Sequence, residues 1–258
     1  MNKITFDEKN IVYEYNHGME STVYLYDING KSVLLKYFKD KIILDDTFVK
    51  PYGNKKEDNI RYIPEETFIN KEKKLELISE MDCFKDEVKI LDLVYNKEGK
   101  FVGYTMGIEK MNTVEDVYSR KQKIKVLELL KEKIELLNEN NVYIGDISSR
   151  NMLYDGNTLK LCDLDNYRIG EYDIDLKTLL TKDYEKMRKD PKNLDNYMFN
   201  LYHYGLVYRY HSSVVLRTLR QNGLPFRLRT QENEKLLKDI LSDKKTYQKR
   251  YFLDNMRF

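Results

Sequence analysis

The sequence predicts an α+β fold in two parts: residues 1–109 form a five-stranded antiparallel sheet with one helix, and residues 110–258 are mainly helical. Three observations predict it. Residues 11–38 alternate apolar and polar side chains, with Asn29-Gly30 between two of the runs, which is the period of half-buried strands. Residues 121–137 set Ile124, Leu127, Leu130, Ile134 and Leu137 on one helical face. Asp155-Gly156-Asn157, between Met152-Leu153-Tyr154 and Leu159-Lys160-Leu161, is a short-range hairpin signal.

The elements follow in order. Ile11-Val12-Tyr13, Val23-Tyr24-Leu25-Tyr26 and Ser32 to Phe38 are the first three strands. Asn29-Gly30 sets a tight hairpin between the second and third, because both residue types tolerate positive φ. Residues 39–63 are charged, carry Pro51, Gly53 and Asn54, and read as a long connection, either a lid or partner contact or a solvated insertion. Pro64-Glu65-Glu66 opens a helix to about Met81: proline suits the first turn, and acids suit the positive end of the dipole. Phe68, Leu75 and Ile78 keep helical spacing along it. Val88 to Tyr95 and Phe101 to Ile108 are two further strands, joined by the turn Asn96-Lys97-Glu98-Gly99. The character changes near Glu109 to Thr113. The helix at 121–137 ends in Asn138 to Asn141, Tyr197 to Val215 reads as a buried helix, and Glu232 to Leu241 as a last amphipathic one.

Composition bounds the partners. The chain has 258 residues, enough for a sizeable core, and its 45 basic and 43 acidic side chains nearly cancel, so nucleic acid is not an expected partner. Arg217, Arg220, Arg227 and Arg229 form a basic run that could touch phosphate but reads first as a solvated face. Cys83 and Cys162 set no disulfide framework, and His17, His203 and His211 have no zinc spacing. The opening residues lack the apolar core of a signal peptide and no run reaches transmembrane length, so a soluble protein of the reducing cytoplasm, without a membrane partner, is expected. There is no tryptophan and no alanine, and 22 tyrosines carry much of the aromatic core.

The densest chemical signal runs from Tyr143 to Asp165. Asp146 is followed five residues later by Asn151 and twelve residues after that by Asp163, with the hairpin between the last two. That hairpin is expected to bring Asn151 and Asp163 near each other. A base, an amide and a carboxylate around one point suit Mg²⁺-nucleotide chemistry, because Mg²⁺ takes hard oxygen ligands and completes its shell with phosphate and water.

This stretch resembles the catalytic and metal-binding loops of the protein-kinase-like superfamily, in which an Asp-x-x-x-x-Asn pattern precedes a second Asp. Its other elements occur upstream in order. Gly18 to Tyr24, with Ser21 and Val23, resembles a reduced phosphate-covering loop of the atypical RIO and Bud32 type. Val33-Leu34-Leu35-Lys36 resembles the strand with the ATP-contacting lysine, Lys71 to Leu75 resembles the glutamate helix, and Met106-Gly107-Ile108 resembles the hinge. The resemblance covers roughly residues 10 to 200 and implies a two-lobe kinase-like fold with ATP between the lobes. It implies Asp146 as the base that orients the acceptor and Lys36 paired with Glu72 on the phosphates. It also implies Asn151 and Asp163 as Mg²⁺ ligands, and Gly18, Ser21, Val23, Met106 and Ile108 around the nucleotide. Glu76 and Glu66 are alternatives to Glu72. Asp195 resembles the buried acid that braces the catalytic loop, or caps a helix.

Departures narrow the function. Ile144-Gly145 stands where the family has His-Arg, so control through a phosphorylated activation loop loses its arginine. Ser148 replaces the catalytic-loop lysine, and Asp165 stands at the family's usual glycine, either as a further metal ligand or as a turn cap. The expected function is an ATP- and Mg²⁺-dependent atypical serine/threonine protein kinase. The alternatives are a small-molecule kinase of the aminoglycoside or choline type, an AMP-transferring enzyme, and an inactive pseudokinase used as a binding module.

Overall fold

The computed structural model of the chain describes residues 1–18, 20–43, 60–145 and 147–172, together with Lys192, Asp195 and Phe199. They show an α+β protein with a mixed multi-strand sheet and two α-helices. The chain divides into two compact units, the first Met1–Met111 with Lys160–Asp165, the second Asn112–Leu159 with the residues from Asn166 onward. Apart from Phe199, the helices expected at 197–215 and 232–241 lie outside the described residues.

The first unit is built on β1 (Asn2–Thr5), β2 (Ile11–His17), β3 (Ser21–Ile28), β4 (Lys31–Phe38), β7 (Ile90–Tyr95) and β8 (Phe101–Met106), in the order β1-β7-β8-β4-β3-β2. This corrects the five-stranded antiparallel expectation. The sheet has six strands, and β1 pairs with β7 in parallel, Asn2 opposite Asp92 and Thr5 opposite Tyr95. Within β1 only Ile4 is even half-buried, so the strand carries no alternation that a sequence reading could use. The remaining pairs are antiparallel.

The β3–β4 hairpin turns through Asn29 (φ 53°) and Gly30 (φ 79°), the conformation that Asn-Gly favours, and the Asp27 carboxylate accepts from the Gly30 N–H at 2.9 Å. Residues 41–43 and 60–62 of the expected long connection instead form a short antiparallel pair, β5 (Lys41–Ile43) with β6 (Ile60–Tyr62). Residues 44–59 lie outside the described residues.

Strand β4 is buried on both faces. Val33 and Leu35 join Tyr26, Val94 and Val102 in one core, whereas Lys36 and Phe38 face the other way. Helix α1 (Glu65–Glu80) lies against β7 and β8. It starts at Pro64 with Glu65 and Glu66 in the first turn, and buries Phe68, Leu75 and Ile78 together with Lys71 and Lys74.

One position fixes how closely β4 and β8 approach. Gly103 pairs with Tyr37, and a Cβ built on it would sit 2.2 Å from the Lys36 carbonyl oxygen, a backbone atom that cannot swing aside.

In the second unit, helix α2 (Arg120–Glu139) buries Val126, Leu127, Leu130, Ile134 and Leu137, while Ile124, expected on the same face, is exposed. The helix ends as its asparagines suggest. The Asn140 amide donates to the Leu136 carbonyl at 2.8 Å, and Asn141 takes a left-handed turn at φ 56°. It leads into β10 (Val142–Tyr143), which pairs antiparallel with β13 (Arg168–Ile169). Strand β11 (Met152–Tyr154) pairs antiparallel with β9 (Asn112–Thr113), and β12 (Leu159–Leu161) follows the hairpin turn. The Asp155 carboxylate holds the hairpin turn by accepting from the N–H groups of Asn157 (2.8 Å) and Thr158 (2.7 Å). Among the described residues no helix is long and apolar enough to cross a membrane.

Gly103→Ala is expected to lower stability by about 1–3 kcal/mol, because a backbone contact must open. Urea unfolding of the two proteins measures it, and a difference below about 0.5 kcal/mol would show that β4 and β8 part freely at this point.

Candidate functional site

The strand register brings the site together. Lys36 lies directly opposite Val23 on β3 and Tyr104 on β8, and directly opposed residues on antiparallel strands share a face. Lys36 is only 6% exposed, so its ammonium needs partners within the protein. It finds two of them on the segment that returns to this unit after β12: its Nζ donates to Asp163 Oδ1 and, at 2.6 Å, to Asp165 Oδ1. The Lys71 Nζ donates to Asp165 Oδ2 at 2.6 Å, and the Tyr104 hydroxyl donates to Asp165 Oδ1 at 3.0 Å. The Phe38 ring lies beneath both ammonium groups, 5.6 Å from Lys36 Nζ and 5.1 Å from Lys71 Nζ.

The segment carrying the acids is held at several points. The Leu161 N–H donates to the buried Glu87 carboxylate, and Lys160 pairs with Glu109 at 2.9 Å. Asp163 then takes φ 63°, a conformation that Asp tolerates better than most side chains, and a 3₁₀ turn over Leu164–Asn166 aims Asp165 inward. Cys162 is half-buried beside them, and burial pushes its thiol up to about 12, which keeps it protonated at neutral pH.

Burial and charge oppose each other here. Burial alone would raise the Asp165 pKa, but Lys36 and Lys71 outweigh it and hold the carboxyl well below the usual carboxylate range. Burial likewise pulls Lys36 down, and Asp163 with Asp165 reverses that and holds it well above an ordinary lysine. Tyr104 is pushed well up, first by burial and then by the Asp165 charge. The Asp165 contribution to stability is therefore present above the ordinary carboxylate range and is lost only as pH falls below it.

Glu72 is not the partner of Lys36. It accepts from the Lys3 ammonium at 3.4 Å and from the Tyr95 hydroxyl. The residue before it on α1, Lys71, faces the acids instead, because one helical step turns a side chain through about 100°. The sequence held a signal for this. Phe68, Lys71, Leu75 and Ile78 recur at the spacing of one buried face, with a lysine at a position where an apolar residue would fit.

The other expected nucleotide residues have these places. Gly18 is half-buried between β2 and β3, and its carbonyl accepts from the Lys39 ammonium. Ser21 opens β3 opposite Phe38, and Met106 closes β8 opposite Leu34. Ile108 lies just beyond β8 and is exposed. Asn151 belongs to the second unit, where it ends a 3₁₀ turn with its N–H on the Ser148 carbonyl at 3.1 Å. Asp146 lies outside the described residues. In the second unit the fully buried Asp195 accepts from the N–H groups of Ile144 (2.9 Å) and Gly145 (2.7 Å), the two residues before Asp146.

The donors suit a magnesium ion unequally. The Asp163 side chain is 29% exposed and offers hard carboxylate oxygens, whereas both oxygens of Asp165 are taken by lysines and Tyr104. Among the described residues no group of three or more His, Cys, Asp or Glu is placed to hold a metal. Mg²⁺ held against phosphate commonly uses one or two carboxylates, so Asp163 fits such a role and Asp165, as arranged, does not. No protein-family model matches the chain, and no curated protein matches it.

Burial raises the Asp195 pKa from 3.8 to about 7, against the lowering effect of its two backbone donors. The folded state therefore holds a proton that the unfolded state releases, and stability should fall as pH rises between those values, by at most about 1.4 kcal/mol per pH unit. Unfolding free energies from pH 4 to pH 8 should show this fall in the wild type relative to Asp195→Asn, and parallel curves would remove the assignment. Tyr104→Phe removes one donor to a buried charge and is expected to cost about 1.5–3 kcal/mol in urea unfolding. An unchanged midpoint would mean that the hydroxyl adds nothing to the two lysines.

Proposed function

We propose that the chain is an ATP- and Mg²⁺-dependent phosphotransferase with a two-lobe kinase-like fold, acting as an atypical serine/threonine protein kinase. The observation that carries this reading is the meeting of the strand lysine Lys36 with Asp163, 127 residues further along the chain. A buried cation beside a half-exposed carboxylate supports phosphate and metal binding at one point, and the resemblance puts those two residue types in those two roles.

In this reading Lys36 fixes the α- and β-phosphates. Asp163 and Asn151 would hold the magnesium, which when bound neutralises charge on the phosphates. Asp146 orients the acceptor hydroxyl and takes its proton as the oxygen attacks the γ-phosphorus and the bond to the ADP oxygen breaks. Gly18, Ser21 and Val23 cover the phosphates, and Met106 and Ile108 flank the base. Positioning and electrostatic stabilisation supply most of the rate, and both depend on where Lys36 and Asp163 are held.

The test is the intact mass of the protein after incubation with Mg-ATP, for wild type, Lys36→Met, Asp146→Asn and Asp163→Asn. A phosphoryl-sized gain is expected in the wild type, slowed at least about a hundredfold in each variant. An AMP-sized gain would move the reaction to nucleotidyl transfer. ATP hydrolysis without any gain would point to a small-molecule acceptor. No gain, no hydrolysis and no thermal stabilisation by Mg-ATP would sink the enzyme reading and leave a binding module.

A further inference from the structure

We propose that Asp165 is the positioning residue for Lys36, in place of the helix acid that the kinase-like pattern supplies, and that Lys71 is the cation that balances it. What Lys36 does with nucleotide rests on the phosphotransferase reading; what holds Lys36 rests on geometry alone.

Two acids meet Lys36, and their surroundings differ. Asp163 is 29% exposed at its side chain, whereas Asp165 is fully buried. Both oxygens of Asp165 are engaged, Oδ1 by Lys36 and Tyr104 and Oδ2 by Lys71. A carboxylate with that many donors in a dry site cannot turn outward without giving up three hydrogen bonds, two of them to buried ammonium groups. It therefore stays a fixed anchor, while Asp163 is placed to exchange Lys36 for an ion or phosphate-bound partner.

The helix offers no competing acid. Glu72 is held by Lys3 and Tyr95, and the side chain that α1 sends into the cluster is a lysine. Lys36, Lys71, Asp163 and Asp165 together carry two positive and two negative charges. Lys36 thus keeps its aim through Asp165 when Asp163 is drawn away, which a single shared acid could not provide.

The test compares wild type, Glu72→Gln, Asp165→Asn and the double variant Lys71→Met/Asp165→Asn, all in the full chain. The double variant removes one charge of each sign together and so guards against a single variant that fails to fold. Two quantities are read: Mg-ATP affinity by titration calorimetry, and acetylation of Lys36 by acetic anhydride, followed by mass spectrometry. Asp165→Asn and the double variant are expected to lose at least tenfold in affinity and to acetylate Lys36 at least fivefold faster. Glu72→Gln should stay within twofold on both.

Lys36 protected within twofold of wild type in the folded double variant would overturn the proposal. So would a loss in Glu72→Gln as large as that in Asp165→Asn. Failure of the wild type to bind Mg-ATP would refute the nucleotide reading separately, and Lys36 acetylation would still decide whether Asp165 is the anchor.

Discussion

Asp165 accepts from side chains on three elements: Lys36 of β4, Lys71 of α1 and Tyr104 of β8. A buried ion pair is often no more stabilising than an apolar pair of the same size, because desolvating the charges offsets their attraction. Its effect is conditional: once two lysines are committed to the interior, removing the buried carboxylate that receives both takes away a charge partner from each. Much of the first unit can be understood from that condition. The register of β4 against β8 sets Lys36 beside Tyr104, the turn of α1 sets Lys71 inward, and the 3₁₀ turn after Asp163 sets Asp165 between them.

The fold serves the condition by close approach. Gly103 lets the backbones of β8 and β4 come within a distance that a methyl group would forbid, and it sits next to Tyr104. Phe38, two residues after Lys36 and on the same face, packs its ring against Phe68, Phe101 and Tyr104, and both ammonium groups lie over it. On the side of Lys36, Lys71 and Asp165 the cluster therefore meets aromatic rings, which strengthens the interactions there.

What the sequence made legible was local. The Asn29-Gly30 and Asp155-Gly156 turns, the proline-led start of α1 and the apolar stripe of α2 each depend on neighbours a few residues away, and the structure has them there. What it hid was set at long range. β1 is a mostly exposed strand whose only reason to be extended is β7, some ninety residues distant. Lys71 and Glu72 are adjacent and both plausible by type. Which one faces the acids depends on the rotation of α1 against the sheet, and Tyr95 and Lys3 had already taken the glutamate. Asp165 was visible as a departure at a known position. Its role could not be read, because the lysine that completes it lies 94 residues upstream.

The first unit includes six residues, Lys160–Asp165, that follow its main body by almost fifty positions. During synthesis the sheet and α1 emerge from the ribosome well before those residues do, and at typical elongation rates the interval is several seconds. Through that interval Lys36 and Lys71 have no Asp165 to enter the interior with. The nascent sheet must then wait partly open, or fold and admit the late segment as a final strip. The same timing bears on dissection: a fragment cut after Met111 would contain every strand of the six-stranded sheet yet lack the carboxylate on which both lysines converge. Such a piece is expected to be a loose, chaperone-seeking chain rather than a portable module, and a boundary drawn from sheet topology alone would miss the reason.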